Sequence, residues 1–468
     1  MTSTTSFAIH GHFYQPPRED PRTGTIPQEP GAAPYKNWNE RINAMCYAPN
    51  SKLGNFEGIS FNVGPTVAEW IMHNDPGTLA RIVEQDRKNF IANGVGNAMA
   101  QAYNHTILPL SPREDKITQV RWGLEDFIRI YGHKPEGMWL PETAVDNETL
   151  EILAINGIKF TILAPWQAAS EHFDYRRPYK VDLPGNQEIT VFFYDADISA
   201  RVSFDPSLTV NADEFIPNTI APKFALGADY PQLILIASDG ELYGHHQAFR
   251  DKFLERVIEN GAKDDLFKMT YPGLFLKNHP ATEKIEIHPN TSWSCHHGVS
   301  RWKEDCGCTP HYHWKEPLRK AIDNLGQALM DIYLKEFSPF TDYAYEIRHR
   351  YIHVINNQVS ADELLNTFIH KPLNKDQSQR LKLLLEAQFE RQRMFTSCGW
   401  FFEDFDRIEP QNNIAYAAQA CWLTYKATGI DLAGTAIRDL EKVRSQRSGL
   451  HASTVFTHRM DRKLETVY

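Results

Sequence analysis

The sequence predicts an α/β fold: a parallel sheet, open or closed into a barrel, followed by a domain of helices alone. Three observations point there. Over roughly the first 300 residues, strand-like runs alternate with helix-like ones, the pattern of a parallel sheet with crossover helices. The run QLILIASD, beginning at Gln232, is apolar without alternation, as a strand buried on both faces must be. From about Pro310 onward, KEPLRKAIDNLGQALMDIYLKEF, DYAYEIRHRYIHVIN, QSQRLKLLLEAQFERQRMF and NIAYAAQACWLTYKAT all carry helical periodicity.

The elements follow in order. FAIHGHF is a strand that runs into a proline-rich loop from Gln15 to about Pro34. GNAMAQAYNH reads as a strand despite its alanines, which are poor strand formers. Ser111-Pro112-Arg113-Glu114 is a capping box with proline at the first helical position, opening a helix to about Tyr131. Gly137 to Leu140 ends a short strand, Asp146 N-caps the next helix, Gly157 stops it, and Lys159 to Leu163 is a strand again. ITVFFYDADIS is a strand ending in acids, and HQAFRDKFLERVIENG a helix that its glycine stops. The final ~20 residues are polar and are expected to fray.

Bulk properties narrow the function. The 468 residues, 42% apolar and 12% aromatic, support a large core and two domains. A formal charge of −10 argues against nucleic acid or an anionic membrane as partner. No apolar run has the roughly 18–20 residues of a membrane helix. MTSTTSFAIHGHF lacks the basic and long apolar regions of a signal peptide. Six cysteines in so long a chain do not make a disulfide scaffold, so the expectation is reduced thiols in the cytoplasm.

In either kind of parallel sheet, chemistry gathers beyond the carboxyl ends of the strands. His10, His12, His105, Glu142, Asp195, Asp197, Asp239 and Glu241 all fall there. Glu142 follows WLP and Asp239 opens DGELYGHH, each at the end of a strand that leads to a helix. One such acid is as readily a helix cap or an ion-pair partner. Two in like contexts suit the paired carboxylates of glycoside hydrolysis. HGH at 10–12 places two imidazoles on one side of a strand, a spacing that suits a metal or a pair of sugar hydroxyls. His245 and His246 follow the DGE segment.

The segment NTSWSCHHGVSRWKEDCGC, Asn290 to Cys308, gathers Cys295, Cys306 and Cys308 with His296 and His297. Those residue types suit zinc. The CxC spacing is not the usual CxxC pair, and buried thiols are the plainer reading. Trp293 and Trp302 in the same segment equally suit a loop over a sugar. TSCGWFFEDF adds Trp400, expected to be exposed to ligand in its Cys-Gly-Trp turn.

Taken together, these segments resemble glycoside hydrolase family 57. HGHFYQP resembles its first motif, with His12 and Gln15; YNHTILP the second, with His105; GMWLPE the third; SDGELYGHH the fourth; and SWSCHHGVSRW the last, aromatic-rich one. The resemblance implies an incomplete (β/α)7 barrel over residues 1–308. A helical domain over 309–468 would pack on it and contribute to the substrate cleft. It implies Glu142 as nucleophile and Asp239 as general acid/base of a retaining mechanism on α-linked glucans, with no cofactor and no metal in the chemistry. The substrate would be an oligo- or polysaccharide, and the activity an amylase, 4-α-glucanotransferase or branching type. His10, His12, Gln15, His105, Asp197, Glu241, His246 and His297 would bind sugar hydroxyls, and Trp139, Trp293, Trp302 or Trp400 would stack on sugar faces. Two rivals stand beside this reading. One is a metal-dependent mannosidase or polysaccharide deacetylase using His10, His12 and an acid as ligands. The other is a glycan-binding protein without activity.

Overall fold

The computed structural model describes residues 5–170, 172–264, 267–310 and 313–461. The start of the segment tested for a signal peptide, residues 1–4, lies outside the described residues. Among those described, the strands are β1 (Thr5–Phe13), β2 (Ser60–Val63), β3 (Ala100–Gln101), β4 (Met138–Trp139), β5 (Phe160–Leu163), β6 (Tyr179–Leu183), β7 (Gln187–Phe193), β8 (Gln232–Asp239), β9 (Lys268–Met269) and β10 (Glu283–Lys284). β1 lies between β2 and β8, parallel to both, and β9 also pairs with it. β3 pairs in parallel with β4, and β5 with β7. Single parallel bridges, Phe61 to Ala98 and Gly137 to Phe160, link these pairs. The Asp195 N–H donates to the Leu235 carbonyl at 2.7 Å, joining the end of β7 to β8.

The sheets are mixed rather than wholly parallel. β6 and β7 form an antiparallel hairpin, and β10 flanks β6. The reason is local: the connecting turn has Gly185 at φ 73° and Asn186 at φ 58°, and a tight turn with positive φ returns the chain antiparallel. Gly137 meets a different demand. A Cβ there would lie 2.4 Å from the Phe160 ring, so the bridge between these strands requires glycine.

The expected helices form, with instructive differences. Asp146 caps Asn147–Ile155 by accepting from the Thr149 N–H at 2.7 Å. Gly261 does not stop the helix Arg250–Lys263. It sits inside, where a Cβ would meet the Met269 sulfur at 2.6 Å, so the glycine serves a close approach. The final residues do not simply fray: Ala452–Met460 is a helix that buries Ala452 and Phe456, whereas residues 462–468 lie outside those described.

The chain divides into two compact units. The first comprises Met1–Gln15, Gln28–Tyr103 and Phe127–Trp293; the second Pro16–Pro27, Asn104–Asp126 and Ser294–Tyr468. The second unit thus takes in segments that a linear division at residue 308 leaves with the strands. Charge explains one of them. Buried Asp115 receives Arg391 at 2.9 Å and Arg348 at 2.8 Å, and Gln392 adds a hydrogen bond at 2.9 Å. A buried carboxylate needs such partners, and they hold its pKa below the usual range. Tyr333, Phe337, Ile347, Leu365, Leu381 and Leu385 form an apolar core in this unit between Lys315–Phe337, Ala344–Arg350, Ala361–Phe368 and Lys375–Arg393. No described helix is long and apolar enough to cross a membrane.

Candidate active site

The register of β1 assembles the first part of the site. It places His12 opposite both Asn62 on β2 and Asp239 on β8. His10 and His12 share a face, and the Trp139 ring stacks on both, at 4.7 and 5.2 Å between centroids. A chain of hydrogen bonds orders them. Ser60 Oγ lies 2.9 Å from His10 Nδ1, His10 Nε2 lies 3.2 Å from Asn62 Oδ1, and Asn62 Nδ2 lies 3.0 Å from His12 Nδ1. Asn62 Nδ2 also donates to Gln101 Oε1 at 2.7 Å. Both amide atoms of Asn62 face His12 Nδ1, Nδ2 at 3.0 Å and Oδ1 at 3.2 Å, so Asn62 holds that ring nitrogen in either tautomer. Burial lowers the pKa of His10 to about 3 and of His12 to about 4, so both rings are neutral at ordinary pH.

Glu142 follows β4 in the short turn Pro141–Thr143, with φ 57° and ψ 21°. Thr143 is also left-handed, at φ 49°. Two adjacent non-glycine residues in that region store backbone strain, which persists only where neighbours over-determine it. Trp293 supplies part of that restraint: its indole N–H donates to Glu142 Oε2 at 2.9 Å and its main-chain N–H to the Glu142 carbonyl at 3.0 Å. Gln167 binds the Thr143 hydroxyl at 2.9 Å and its carbonyl at 2.8 Å.

Asp239 ends β8. Solvent reaches its side chain, but protein crowds the remaining sides; that burial, with the negative charge of Glu142, pushes its pKa up to about 7. Glu241 lies deeper. It accepts from the Tyr14 N–H at 2.9 Å and the Tyr47 hydroxyl at 2.6 Å. Burial nonetheless raises it to about 8, above its ordinary value. Asp239 and Glu241, both raised towards neutrality, are carboxyls able to hold a proton near pH 7.

Several residues expected to contact a ligand are buried or bonded to protein. His10 is fully buried with both ring nitrogens bonded to protein, and Trp139 is fully buried under the two histidines; both support His12. Asp197 forms an exposed ion pair with Lys223 at 2.8 Å. Glu241 is buried against Tyr14 and Tyr47. Gln15 is half-buried, its carbonyl accepting from Thr66 Oγ1 at 2.5 Å, while His246 is exposed. The second unit holds His105, His297, Trp302 and Trp400. There His105 is buried against Ser397 Oγ at 2.6 Å, and His297 is exposed. Trp302 and Trp400 are buried packing residues, so neither offers a ring face to a ligand.

Sequence reasoning missed Asn62, Tyr47 and an aromatic path. Trp166, 47% exposed, donates its indole N–H to the Ser292 carbonyl at 2.9 Å and meets the Tyr194 ring edge-on at 6.2 Å. Tyr194 meets Trp293 at 6.4 Å. The ISFNVGP run around Asn62 is a strand signal ended by Gly-Pro; nothing local marks Tyr47. A cavity of about 850 Å³ in the first unit, lined by His172, Arg177 and Glu283, contains neither acid, so size alone does not locate the chemistry. Nor do His10 and His12 belong to a metal-ligand cluster: among the described residues that grouping is Cys295, His297, Cys306 and Cys308.

An α/β scaffold carrying paired strand-end acids defines a class of carboxylate-dependent catalysts, and comparison with known proteins makes the family definite. The profile of glycosyl hydrolase family 57 matches residues 23–288, more than half of the sequence, and the chain belongs to that family. Residues 311–464 match a domain of unknown function (DUF3536). Alpha-amylase 1 of Dictyoglomus thermophilum is 22% identical over 207 residues, covering 41% of this chain and 28% of that relative. The match therefore spans little more than a quarter of the relative's length. Among solved structures, an exo-type maltose-forming amylase from Pyrococcus sp. ST04 superposes with a TM-score of 0.75 at 15% identity, covering 97% of this chain and 88% of that one. A GH57-type branching enzyme from Pyrococcus horikoshii gives 0.62 at 15% identity, covering 98% and 94%. A 4-alpha-glucanotransferase from Thermococcus litoralis gives 0.55 at 16% identity, covering 89% of this chain and 60% of that one. These likenesses establish an α/β fold of the family-57 kind with a helical C-terminal region.

Proposed function

We propose that this chain is a retaining glycosidase or transglycosylase acting on α-linked glucans through a covalent glycosyl-enzyme intermediate. The observation that carries the reading is positional: Glu142 follows β4 and Asp239 ends β8 in the same unit, near enough that the charge of Glu142, with burial, raises Asp239 to about 7. Glu142 attacks the anomeric carbon, its carboxylate oriented by Trp293. Asp239 protonates the departing oxygen, then deprotonates the incoming acceptor. His12 hydrogen-bonds a sugar hydroxyl. Trp166 and Trp293 offer aromatic surface to sugar faces. The parallel pairings from β8 through β1 and β2, with bridges on towards β5 and β7, support the incomplete (β/α)7 barrel. None of the six cysteines is in a disulfide, which supports a cytoplasmic setting.

The amylase, branching and glucanotransferase activities named for the similar structures support α-glucans as substrate. Incubation with maltoheptaose and with amylose, resolved by size and by linkage, tests this. Shorter products indicate hydrolysis, longer and shorter together indicate transfer, and new α-1,6 linkages indicate branching. No change in any α-glucan contradicts the substrate reading.

A further inference from the structure

We propose that Cys295, His297, Cys306 and Cys308 bind one zinc ion in a closed, structural site of the second unit. The four ligand atoms lie within 4.8 Å of one another. Cys295 Sγ is 3.9 Å from Cys306 Sγ and 3.7 Å from Cys308 Sγ, and Cys308 Sγ is 3.4 Å from His297 Nδ1. Tetrahedral zinc with Zn–S near 2.3 Å and Zn–N near 2.05 Å sets sulfurs about 3.8 Å apart and sulfur from nitrogen about 3.5 Å. Three of the six edges of that tetrahedron are thus already close to their expected lengths, and the remaining separations are no more than 4.8 Å. A disulfide fits poorly: its S–S bond is about 2.05 Å, and three clustered sulfurs leave one thiol over whichever two pair. Sequence spacing hid the site because its ligands come as CxH and CxC, joined by eight residues that include the short turn Ser300–Trp302.

Charge provides a second, independent observation. Zinc with three thiolates and a neutral imidazole carries a net charge of −1. Lys315 is 1% exposed; among the described residues its ammonium makes no hydrogen bond, only a contact with the Trp314 ring at 5.7 Å, and it lies within electrostatic reach of all three sulfurs. A buried ammonium without an anionic partner is costly, and the zinc–thiolate centre supplies the compensating charge. Arg301, between the ligand pairs, donates to the Ser294 carbonyl at 3.0 Å and the Phe401 carbonyl at 3.2 Å, tying the loop down beside Cys295. Soft sulfur ligands with one imidazole select zinc over magnesium, calcium or manganese. Four protein ligands leave no open position, so the ion orders the 295–308 segment and takes no part in glycosyl chemistry. Binding displaces the thiol protons to solvent.

The test is metal analysis of the full chain purified from zinc-supplemented cells without chelator. The expected result is about one zinc per chain retained through gel filtration, falling below about 0.1 in the C306S/C308S double variant. Cobalt-substituted wild-type protein gives a check that needs no variant: thiolate-to-cobalt charge-transfer absorption and a tetrahedral ligand-field spectrum are expected. Metal-free protein whose thiols bind neither zinc nor cobalt, or zinc retained equally by a folded double variant, overturns the proposal.

Discussion

Trp293 holds Glu142 twice, through its indole N–H to the carboxylate at 2.9 Å and through its main-chain N–H to the carbonyl at 3.0 Å. One residue thereby fixes the direction of a carboxylate and helps hold the left-handed backbone that carries it. Replacing Trp293 by Phe keeps an aromatic ring and removes only the indole hydrogen bond. A hydrogen bond to a charged group contributes about 1.5–3 kcal/mol, so kcat is expected to fall about ten- to hundredfold with the fold unchanged. Undiminished kcat in W293F contradicts the orienting role.

As the proposed general acid, Asp239 would set the alkaline limb of activity. Its pKa is raised to about 7, so the general acid is lost as pH rises through that value. The pH profile of kcat/KM on an unactivated glucan is expected to fall above about 7. In Asp239→Asn, turnover of that glucan drops by about 10²–10⁴, while a glycosyl fluoride, whose leaving group needs no proton, loses far less in the first step. Equal losses on both substrates contradict the acid role.

Glu241 ties the site to stability. Its folded pKa of about 8 lies above its ordinary value of 4.5, so between these values the folded state binds the extra proton. Stability from this group is therefore fully present below pH 4.5 and is lost as pH rises towards 8, at about 1.4 kcal/mol per pH unit. Glu241→Gln keeps an acceptor for Tyr14 and Tyr47 and has no such loss. Denaturant unfolding is expected to find the variant gaining on wild type steadily from pH 5 to 8. A gap that does not change with pH contradicts a neutral buried Glu241.

Trp166 is the exposed end of the aromatic path. Loss of one stacking face is worth about 0.5–1.5 kcal/mol, so Trp166→Ala is expected to raise KM for long glucans about two- to twelvefold and to leave kcat nearly unchanged. A fall in kcat with KM constant argues against a platform role.

The acids were legible in the sequence because each ends a strand in a distinctive context: WLP before Glu142, and an unbroken apolar run before Asp239. The helices after Pro310 were legible for the same reason, strong periodicity. Burial was not. Trp400 and Trp302 have the residue type of a sugar platform, and only the packing of distant segments shows them inside. His10 looked like a ligand because period two aligns it with His12; its partners Ser60 and Asn62 sit fifty or more residues away. The β6–β7 hairpin was not legible: ITVFFYDADIS marks only the second of its strands, and the short turn Pro184–Asn186 before it carries no strand periodicity. The Cys295–Cys308 cluster shows the opposite failure: a familiar ligand set in an unfamiliar spacing.

The most direct test of the central claim is to trap the intermediate. Incubate wild-type protein with a fluorinated α-glucosyl fluoride that forms the glycosyl-enzyme quickly and releases it slowly, then digest and weigh the peptides. The account predicts a single sugar on the peptide containing Glu142, absent in Glu142→Gln, whose turnover falls by at least about three orders of magnitude. A label on another residue, or turnover that inverts the anomeric centre with no label at all, contradicts it.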